Sequence, residues 1–435
     1  MKNLSTNEAW EKLIEKYDIV NKIKEEGKFR ILSKQIKEFR EPRLMAKWDS
    51  SESLPSVLAK NKINILPDSR SSYVLSDFQL YEELPDLTEN VTEMKKVKTP
   101  EFETIDINNI TSESNAINLL VISNILDDFL GVENNVQTFN GRMGTGDFEF
   151  YVDTRRGREK IFVNNAQCEI DGGFENEESV VIMEAKNVVY PDFHIRQLYY
   201  PYRLWEKRVK KPVRLVFAVY SNMIYRLFEY EFESLEDYSS IKLIKEKNYS
   251  LQDTNITLEE LYEVYRKTKV KTDDDMDYTD IPFIQADKFE RVISLLEQLY
   301  ENSMTTIEVA EMMQFEPRQS DYYFNAGRYL GLFEKVEDNN KGVIVIQLTK
   351  LGKQVFKLNY KDRQLKLVEL ILEHKIFHDL FKKVYNKKEL PPKEYVKNKM
   401  REYNVCGESL IDRRSSSVIG WLKWIFNLPK VSNTK

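Results

Sequence analysis

The segment VRLVFAVY at 213–220 most constrains the fold, because it is nearly all-apolar over the length of one strand. A strand without polar alternation is typical of a sheet that is covered on both faces. Upstream, VVIMEAK at 180–186 also has strand character, and residues 192–209 between the two segments have helical spacing with a break near Pro201. This pattern predicts an α/β unit.

The flanking sequence extends the unit in both directions. Helical spacing over 112–132 predicts a preceding helix, and period-two alternation predicts further strands at 148–152, 161–170 and 224–232. We therefore predict an α+β multidomain chain in which residues 1–100 are an N-terminal accessory region, 101–235 the α/β core, and 236–283 an acidic connector. DNA contact and bracing of a dimer are the two options for the accessory region.

A different pattern begins at residue 284. The segments FEKVED and VIVIQLT flank the turn NNKG at 339–342, and three segments before them have helical spacing: 287–301, 304–313 and 316–332. Three helices followed by a hairpin with a Gly-containing turn are the element order of a winged helix. We predict a winged helix at 284–358 and a basic helical domain at 359–435, for which a second winged helix or helix-turn-helix is an option.

Charge is unevenly distributed along the chain. The net charge of −6 by itself disfavours a polyanionic partner. Residues 341–435, however, contain 21 basic and 9 acidic residues, so this end carries +12 and the first 340 residues carry −18. A basic end on an acidic body is typical of a protein that binds a polyanion at one place, although solvated lysine-rich helices give the same composition.

Composition disfavours several protein classes. The two cysteines, Cys168 and Cys406, lie far apart and form no CxxC pair, which disfavours structural zinc and a disulfide framework. No apolar run reaches the roughly 18 residues needed to cross a bilayer, and the first residues lack the apolar stretch of a signal peptide. The sequence predicts a cytoplasmic protein without a membrane partner.

The residues that carry chemistry lie in CEIDGGFENEESVVIMEAKN at 168–187. Asp171 ends one predicted strand, while Glu184 and Lys186 share one face of the next strand because side chains alternate with period two. Carboxylate oxygens are ligands that Mg²⁺ prefers, and the carbonyl of Ala185 is a further candidate ligand. Two acids and an ammonium suit metal-dependent hydrolysis of a phosphodiester. The alternative is a surface ion pair on an edge strand.

Asp171 and the triplet Glu184-Ala185-Lys186 resemble the motif of the PD-(D/E)xK nuclease superfamily, with Ile170 at the position of the family's proline. The layout, with its RLM…LP…ILP N-terminal region, is similar to one group of restriction endonucleases. The resemblance implies a restriction-endonuclease-like mixed-sheet core and a type II site-specific deoxyribonuclease. Such an enzyme hydrolyses double-stranded DNA with Mg²⁺, leaving 5′-phosphate and 3′-hydroxyl ends. We also expect a homodimer on DNA and a cognate DNA methyltransferase as system partner.

Two further site residues are suggested by the same resemblance. A Glu on the first helix of such cores often supports the metal site, and Glu113 has this position, although the helix dipole also favours a Glu there. Gln197 resembles a Gln on the helix after the active-site strands, where it would orient the lysine or touch the scissile strand. Ordinary amphipathic packing is the alternative for Gln197.

Sequence-specific cleavage also needs a DNA-reading surface. The third helix of the predicted winged helix carries side chains that can pair with base edges, namely Arg318, Gln319, Asn325 and Arg328. Arg413 and Arg414, at the start of the last predicted helix, are a second candidate. Two rival functions remain open: a modification-dependent or repair nuclease of the same fold, and a winged-helix regulator with an inactive nuclease-like domain.

Overall fold

The computed structural model describes residues 4–87, 91–93, 102–106, 110, 112–271, 281–315, 317–338 and 342–431. Most of the acidic stretch at 271–283, most of the turn at 339–342 and residues 94–100 of the predicted accessory region therefore lie outside the described residues. In the described parts, four hydrophobic clusters form the cores of three units, and two of these clusters also include residues of a neighbouring unit.

The N-terminal unit, residues 4–76, packs short helices against a three-stranded antiparallel sheet of order β1-β3-β2. Its first helix begins at Thr6 because Ser5 and Glu8 form a capping box. Trp10, Leu58 and Leu75 lie in its core. The elements are α1 (Thr6–Tyr17), α2 (Ile19–Glu26), β1 (Phe29–Leu32), α3 (Ser33–Ile36), α4 (Ser56–Asn61), β2 (Asn64–Pro67) and β3 (Ser72–Ser76).

The central unit, residues 77–254, is built on a mixed seven-stranded sheet of order β5-β14-β13-β12-β10-β9-β6. Its elements are β4 (Tyr81–Glu83), β5 (Val91–Glu93), α5 (Glu113–Ile122), α6 (Ile125–Leu130), β6 (Val136–Gly144), β7 (Asp147–Thr154), β8 (Gly157–Asn164), β9 (Gln167–Glu175), β10 (Val180–Lys186), β11 (Asp192–His194), α7 (Arg196–Glu206), β12 (Val213–Ser221), β13 (Ile224–Phe232) and β14 (Ile241–Ser250). The mixed α/β class predicted from the sequence is confirmed.

Strand β10 lies inside this sheet, parallel to β12 and antiparallel to β9. Its apolar side chains alternate between two cores: Val181 and Met183 pack with α5 and α6, whereas Ile182 packs with α7. Helices therefore cover both faces, which explains the nearly continuous apolar sequence of β10 and β12. Glu184 and Lys186 follow Ile182 on the α7 side.

Several predicted elements differ from the structure. The predicted strand 161–170 is two strands, β8 and β9, because Asn165 turns the chain with φ of 47°. The predicted helix 112–132 is divided between α5 and α6 at Asn124, whose φ is 58°. Pro201 lies inside α7 and does not break it. The predicted connector 236–283 contains β14, which pairs with β13 on both sides of one register shift, and the helix Leu258–Lys267.

The C-terminal unit, residues 255–431, is helical apart from one hairpin. It comprises α8 (Leu258–Lys267), α9 (Phe289–Glu301), α10 (Thr306–Met313), α11 (Pro317–Tyr329), β15 (Phe333–Asp338), β16 (Val343–Leu348), α12 (Lys350–Phe356), α13 (Tyr360–Leu372), α14 (Lys375–Lys387), α15 (Lys393–Glu402) and α16 (Glu408–Val431). The predicted order of three helices and a hairpin is present.

The two C-terminal domains predicted at 284–358 and 359–435 share one core. Trp421 of α16 packs on Phe289 of α9, with ring centroids 4.8 Å apart, and on Phe377 of α14 at 5.6 Å. Val188, Tyr190 and neighbouring central residues also join this core. Among the described residues, no helix is both long and apolar enough to span a membrane.

Candidate active site

Pairing of β9 with β10 brings the sequence-predicted residues together. The antiparallel ladder ends at the pair Gly172–Met183, so Asp171 lies one residue beyond it. There the Asp171 carboxylate accepts a hydrogen bond from the Ala185 backbone N–H at 2.9 Å. The Ala185 carbonyl also lies beyond the last pair of this ladder. Strand β10, which carries Glu184, therefore also binds the Asp171 carboxylate of β9 through its backbone.

Glu184, Lys186 and Gln197 form one buried hydrogen-bonded group. The Lys186 Nζ lies 2.5 Å from Glu184 Oε1, and the Gln197 side-chain amide of α7 donates to the same oxygen. The side chains of Glu184 and Lys186 are only 8% and 11% exposed. The alternative of a surface ion pair on an edge strand is wrong, because β10 has a partner on each side and the pair is buried.

Burial and neighbouring charges shift the pKa values of both Glu184 and Lys186. Burial raises the pKa of Glu184 to about 8, against the opposing effect of Lys186. For Lys186, burial alone would lower the pKa, but the carboxylates of Glu184, Asp49 and Glu113 raise it well above its usual value. The ammonium is therefore held in its charged form among several acids.

Glu113 lies close to the same group. It is the first residue of α5, accepts a hydrogen bond from the Asn187 backbone, and interacts electrostatically with Lys186 and Asp171. Burial raises the pKa of Glu113. The structure thus brings Glu113 to the site as the resemblance implied, and the helix-dipole explanation remains compatible with its position.

Five of the six predicted site residues line one cavity of about 680 Å³, which we call the sheet-end cavity: Asp171, Glu184, Lys186, Gln197 and Glu113. Ala185 is not part of its lining. The described part of the chain holds no ready-made group of three or more His, Cys, Asp or Glu side chains placed to bind a metal. Mg²⁺, however, usually keeps several waters and takes one or two protein carboxylates. Asp171 and Glu184 supply hard oxygen donors, and a cation would offset the penalty that raises the pKa of Glu184. The donor set therefore fits Mg²⁺.

The N-terminal unit supplies a residue of the cavity that the sequence did not reveal. Asp49 lines the cavity, is buried, and lies 4.0 Å from the Arg196 guanidinium. Burial would raise the pKa of Asp49, but the positive charges of Lys186, Arg196 and Lys47 outweigh it and lower this pKa. No motif marks Asp49, because its proximity to Lys186 arises from packing between two units.

The predicted DNA-reading residues occupy different environments. Arg318 of α11 and Arg413 of α16 are exposed and flank the ring of Tyr322, with guanidinium carbons 5.9 and 5.3 Å from its centroid. We call these three residues the Tyr322 platform. Gln319, Asn325 and Arg328 are half-buried on α11. Arg414 is buried at 9% exposure and hydrogen-bonds with Cys406.

The start of the last helix also differs from the prediction. Helix α16 begins at Glu408, so Arg413 and Arg414 lie more than one turn inside it and not at its N-terminal end. The dipole argument for anion binding at these two residues is therefore wrong, since the effect falls off within the first turn. Arg413 remains a candidate for DNA contact because it is exposed beside Tyr322.

Comparison with known families divides the chain as the structure does. Three protein-family models match, and each is described as a domain of unknown function: DUF6996 at residues 7–75, DUF6997 at 76–250 and DUF7226 at 291–430. Comparisons with curated proteins and with solved structures gave no match. The three matched stretches correspond to the N-terminal, central and C-terminal units.

Proposed function

We propose that this protein is a Mg²⁺-dependent, sequence-specific DNA endonuclease of the PD-(D/E)xK type, acting as a type II restriction enzyme. The observation that carries the proposal is the meeting of Asp171, Glu184 and Lys186 at one end of a buried strand, in one cavity. A pure binding protein has no need to bury such charges, because burying them costs free energy unless a ligand or substrate compensates.

The residues take distinct roles in this proposal. Asp171 and Glu184, with the Ala185 carbonyl, would hold Mg²⁺, which when bound neutralises charge on the scissile phosphate. Lys186 orients the attacking water and stabilises the negative charge that develops on the phosphate. Gln197 keeps the Glu184 carboxylate in position by its hydrogen bond, and Glu113 borders the same space.

DNA recognition is proposed for the C-terminal unit. The order α9, α10, α11 and hairpin β15–β16 supports a winged helix, with α11 as the helix that enters the major groove. Arg318 and Arg413 are exposed on neighbouring helices and suit guanine or phosphate contact. A dimer on DNA, with one active site for each strand, completes the proposal.

The test is cleavage of a plasmid by the full-length protein with and without Mg²⁺. We expect discrete fragments with Mg²⁺ and none with a chelator. Lys186→Ala should lose at least about 100-fold in cleavage rate, since positioned acid–base and electrostatic groups contribute this much, while it still binds DNA. Lys186→Arg keeps the charge and controls for misfolding.

The outcome separates the rival functions. Binding without cleavage at any concentration of divalent ion would instead support a regulator with an inactive nuclease-like domain. Degradation without discrete fragments would support a nuclease that does not recognise a sequence. Cleavage confined to methylated plasmid would support a modification-dependent enzyme.

A further inference from the structure

The sheet-end cavity has a second wall that the proposed chemistry does not use. Three cations of the N-terminal unit, Arg43, Lys47 and Arg70, line it together with the carboxylates of the central unit. All three are exposed. Within the described residues, none of the three is within ion-pair distance of an acid, whereas Arg142 of the same cavity pairs with Glu169 at 3.3 Å.

We propose that Arg43, Lys47 and Arg70 form a phosphate clamp, through which the N-terminal unit grips the DNA backbone at the sheet-end cavity. The inference rests on the proposed function for the identity of the polyanion. It assigns to residues 4–76 a direct part in binding the strand to be cut.

The position of Lys47 supports this assignment. Its charge influences the pKa of both Asp49 and Glu113, so Lys47 lies near two of the acids that line the sheet-end cavity. A phosphate that entered this cavity to reach a cation on Asp171 and Glu184 would therefore also pass the wall that carries Lys47.

Charge balance in the cavity supports the same conclusion. Its lining includes six cationic side chains and five carboxylates. A divalent cation on the acids would leave this wall with a net positive charge, and that charge favours an extended polyanion over a neutral or cationic ligand. The cations of the N-terminal unit have no described acid of their own, so phosphate oxygens are the complementary partners.

The anchoring of the N-terminal unit makes the clamp a fixed part of the cavity. Asp192 of β11 accepts hydrogen bonds from the Ser50 hydroxyl and the Ser51 backbone, each at 2.8 Å, directly after Asp49. Glu52 forms an ion pair with Arg291 of α9. The segment that carries Arg43 and Lys47 is thus bound at its end to both other units.

The experiment measures DNA binding in a chelator, where no cleavage can occur. A short fluorescent duplex of mixed sequence is titrated with full-length protein at several salt concentrations between about 50 and 200 mM. The test variant is Arg43→Gln/Lys47→Gln/Arg70→Gln. The matched control, Lys12→Gln/Lys34→Gln/Lys60→Gln, removes the same charge from exposed lysines of the N-terminal unit that do not line the cavity.

We expect the test variant to bind the duplex at least about 10-fold more weakly and to reduce the slope of log K against log salt by about one for each cation removed. The control should keep the wild-type slope. Equal losses in both variants, or no loss in either, would overturn the clamp, as would failure of the wild type to bind duplex DNA.

Cleavage assays in Mg²⁺ distinguish failure of the clamp proposal from failure of the proposed nuclease function. A wild type that never cuts, combined with the expected difference in binding, leaves the clamp in place and removes the nuclease proposal. A test variant that binds and cuts like the wild type removes the clamp and leaves the nuclease proposal.

Discussion

Gln197 reaches Glu184 from helix α7, outside the strand that carries the acid. Its amide nitrogen donates to Glu184 Oε1, the oxygen that Lys186 also contacts, and its own buried oxygen has no described hydrogen-bond partner. Gln197 therefore constrains the Glu184 carboxylate from helix α7. This arrangement makes it a positioning residue in the proposed mechanism.

Replacing Gln197 by Ala should lower the single-turnover cleavage rate about 10-fold or more, because a hydrogen bond to a charged group contributes about 1.5 kcal/mol or more. DNA affinity should change little. Gln347→Ala is the matched control, since Gln347 donates to the Glu334 carboxylate at 2.8 Å in the hairpin β15–β16. Equal effects of the two substitutions would show that Gln197 acts only on stability.

Mg²⁺ binding should be measurable without DNA. A ligand that binds only the folded state stabilises it by RT ln(1 + [L]/Kd), about 2.7 kcal/mol at one hundred times Kd. We expect Mg²⁺ to raise the unfolding midpoint of the wild type by a few degrees, and Asp171→Asn to lose most of this rise. Glu175→Gln, at the other end of β9 and ion-paired with Lys211, should keep it. An unchanged response in Asp171→Asn would exclude this carboxylate as a ligand.

At the scale of elements, the neighbouring residues Arg413 and Arg414 of α16 allow the proposed DNA contact to be tested separately from helix packing. Arg413 is exposed in the Tyr322 platform, whereas its neighbour Arg414 is buried. Arg318→Ala and Arg413→Ala should each weaken binding to the cleaved sequence by about 1–3 kcal/mol, with smaller effects on unrelated duplexes. Arg414→Ala should mainly lower the unfolding midpoint. Competition binding and thermal unfolding measure the two effects, and a reversed pattern would contradict the assignment.

Elements with a strong periodic signal were predictable from the sequence. Strand β10 placed Glu184 and Lys186 on one face because alternation is a local property, and the structure confirms it. Strand β6, an exposed edge strand reading VQTFNGRMG, has no apolar alternation and was missed. The breaks at Asn124 and Asn165 depend on single left-handed residues, which Asn adopts only where the surrounding packing requires it.

The candidate site shows the same division between local and non-local information. Asp171, Glu184 and Lys186 lie within sixteen residues of one another, so strand pairing was enough to predict their convergence. Asp49 and the phosphate clamp come from another unit, and the docking of that unit on the central unit, at β11 among other contacts, brings them to the cavity. The burial of Arg414 likewise depends on how α16 packs against other helices, which the local sequence does not show.

At the scale of the whole molecule, a buried ion pair of the C-terminal unit lies against the seven-stranded sheet. Glu297 of α9 and Arg363 of α13 lie 3.0 Å apart with side chains 7% and 1% exposed. Glu297 also accepts hydrogen bonds from the Ser221 hydroxyl and the Asn222 backbone, at the turn between β12 and β13. The proposed DNA-reading unit is thus hydrogen-bonded to the end of β12, the strand next to β10 that carries Glu184 and Lys186.

Arg363→Met should destabilise the protein by about 3–5 kcal/mol, because it leaves the Glu297 carboxylate buried without a counter-charge. Burial already raises the pKa of Glu297 and Arg363 opposes this, so the substitution should raise that pKa further. At a pH where the Glu297 carboxyl is protonated in both the folded and the unfolded protein, its raised pKa does not lower the free energy of unfolding. As the pH rises above the ordinary pKa of a Glu, the raised pKa lowers the free energy of unfolding more and more. The deficit should therefore be smaller near pH 5 than near pH 8 in urea unfolding. The double variant Glu297→Gln/Arg363→Met should recover part of the lost stability, and its stability deficit should not depend on pH. If the deficit of Arg363→Met is the same at both pH values, lost packing and not the uncompensated charge causes the destabilisation.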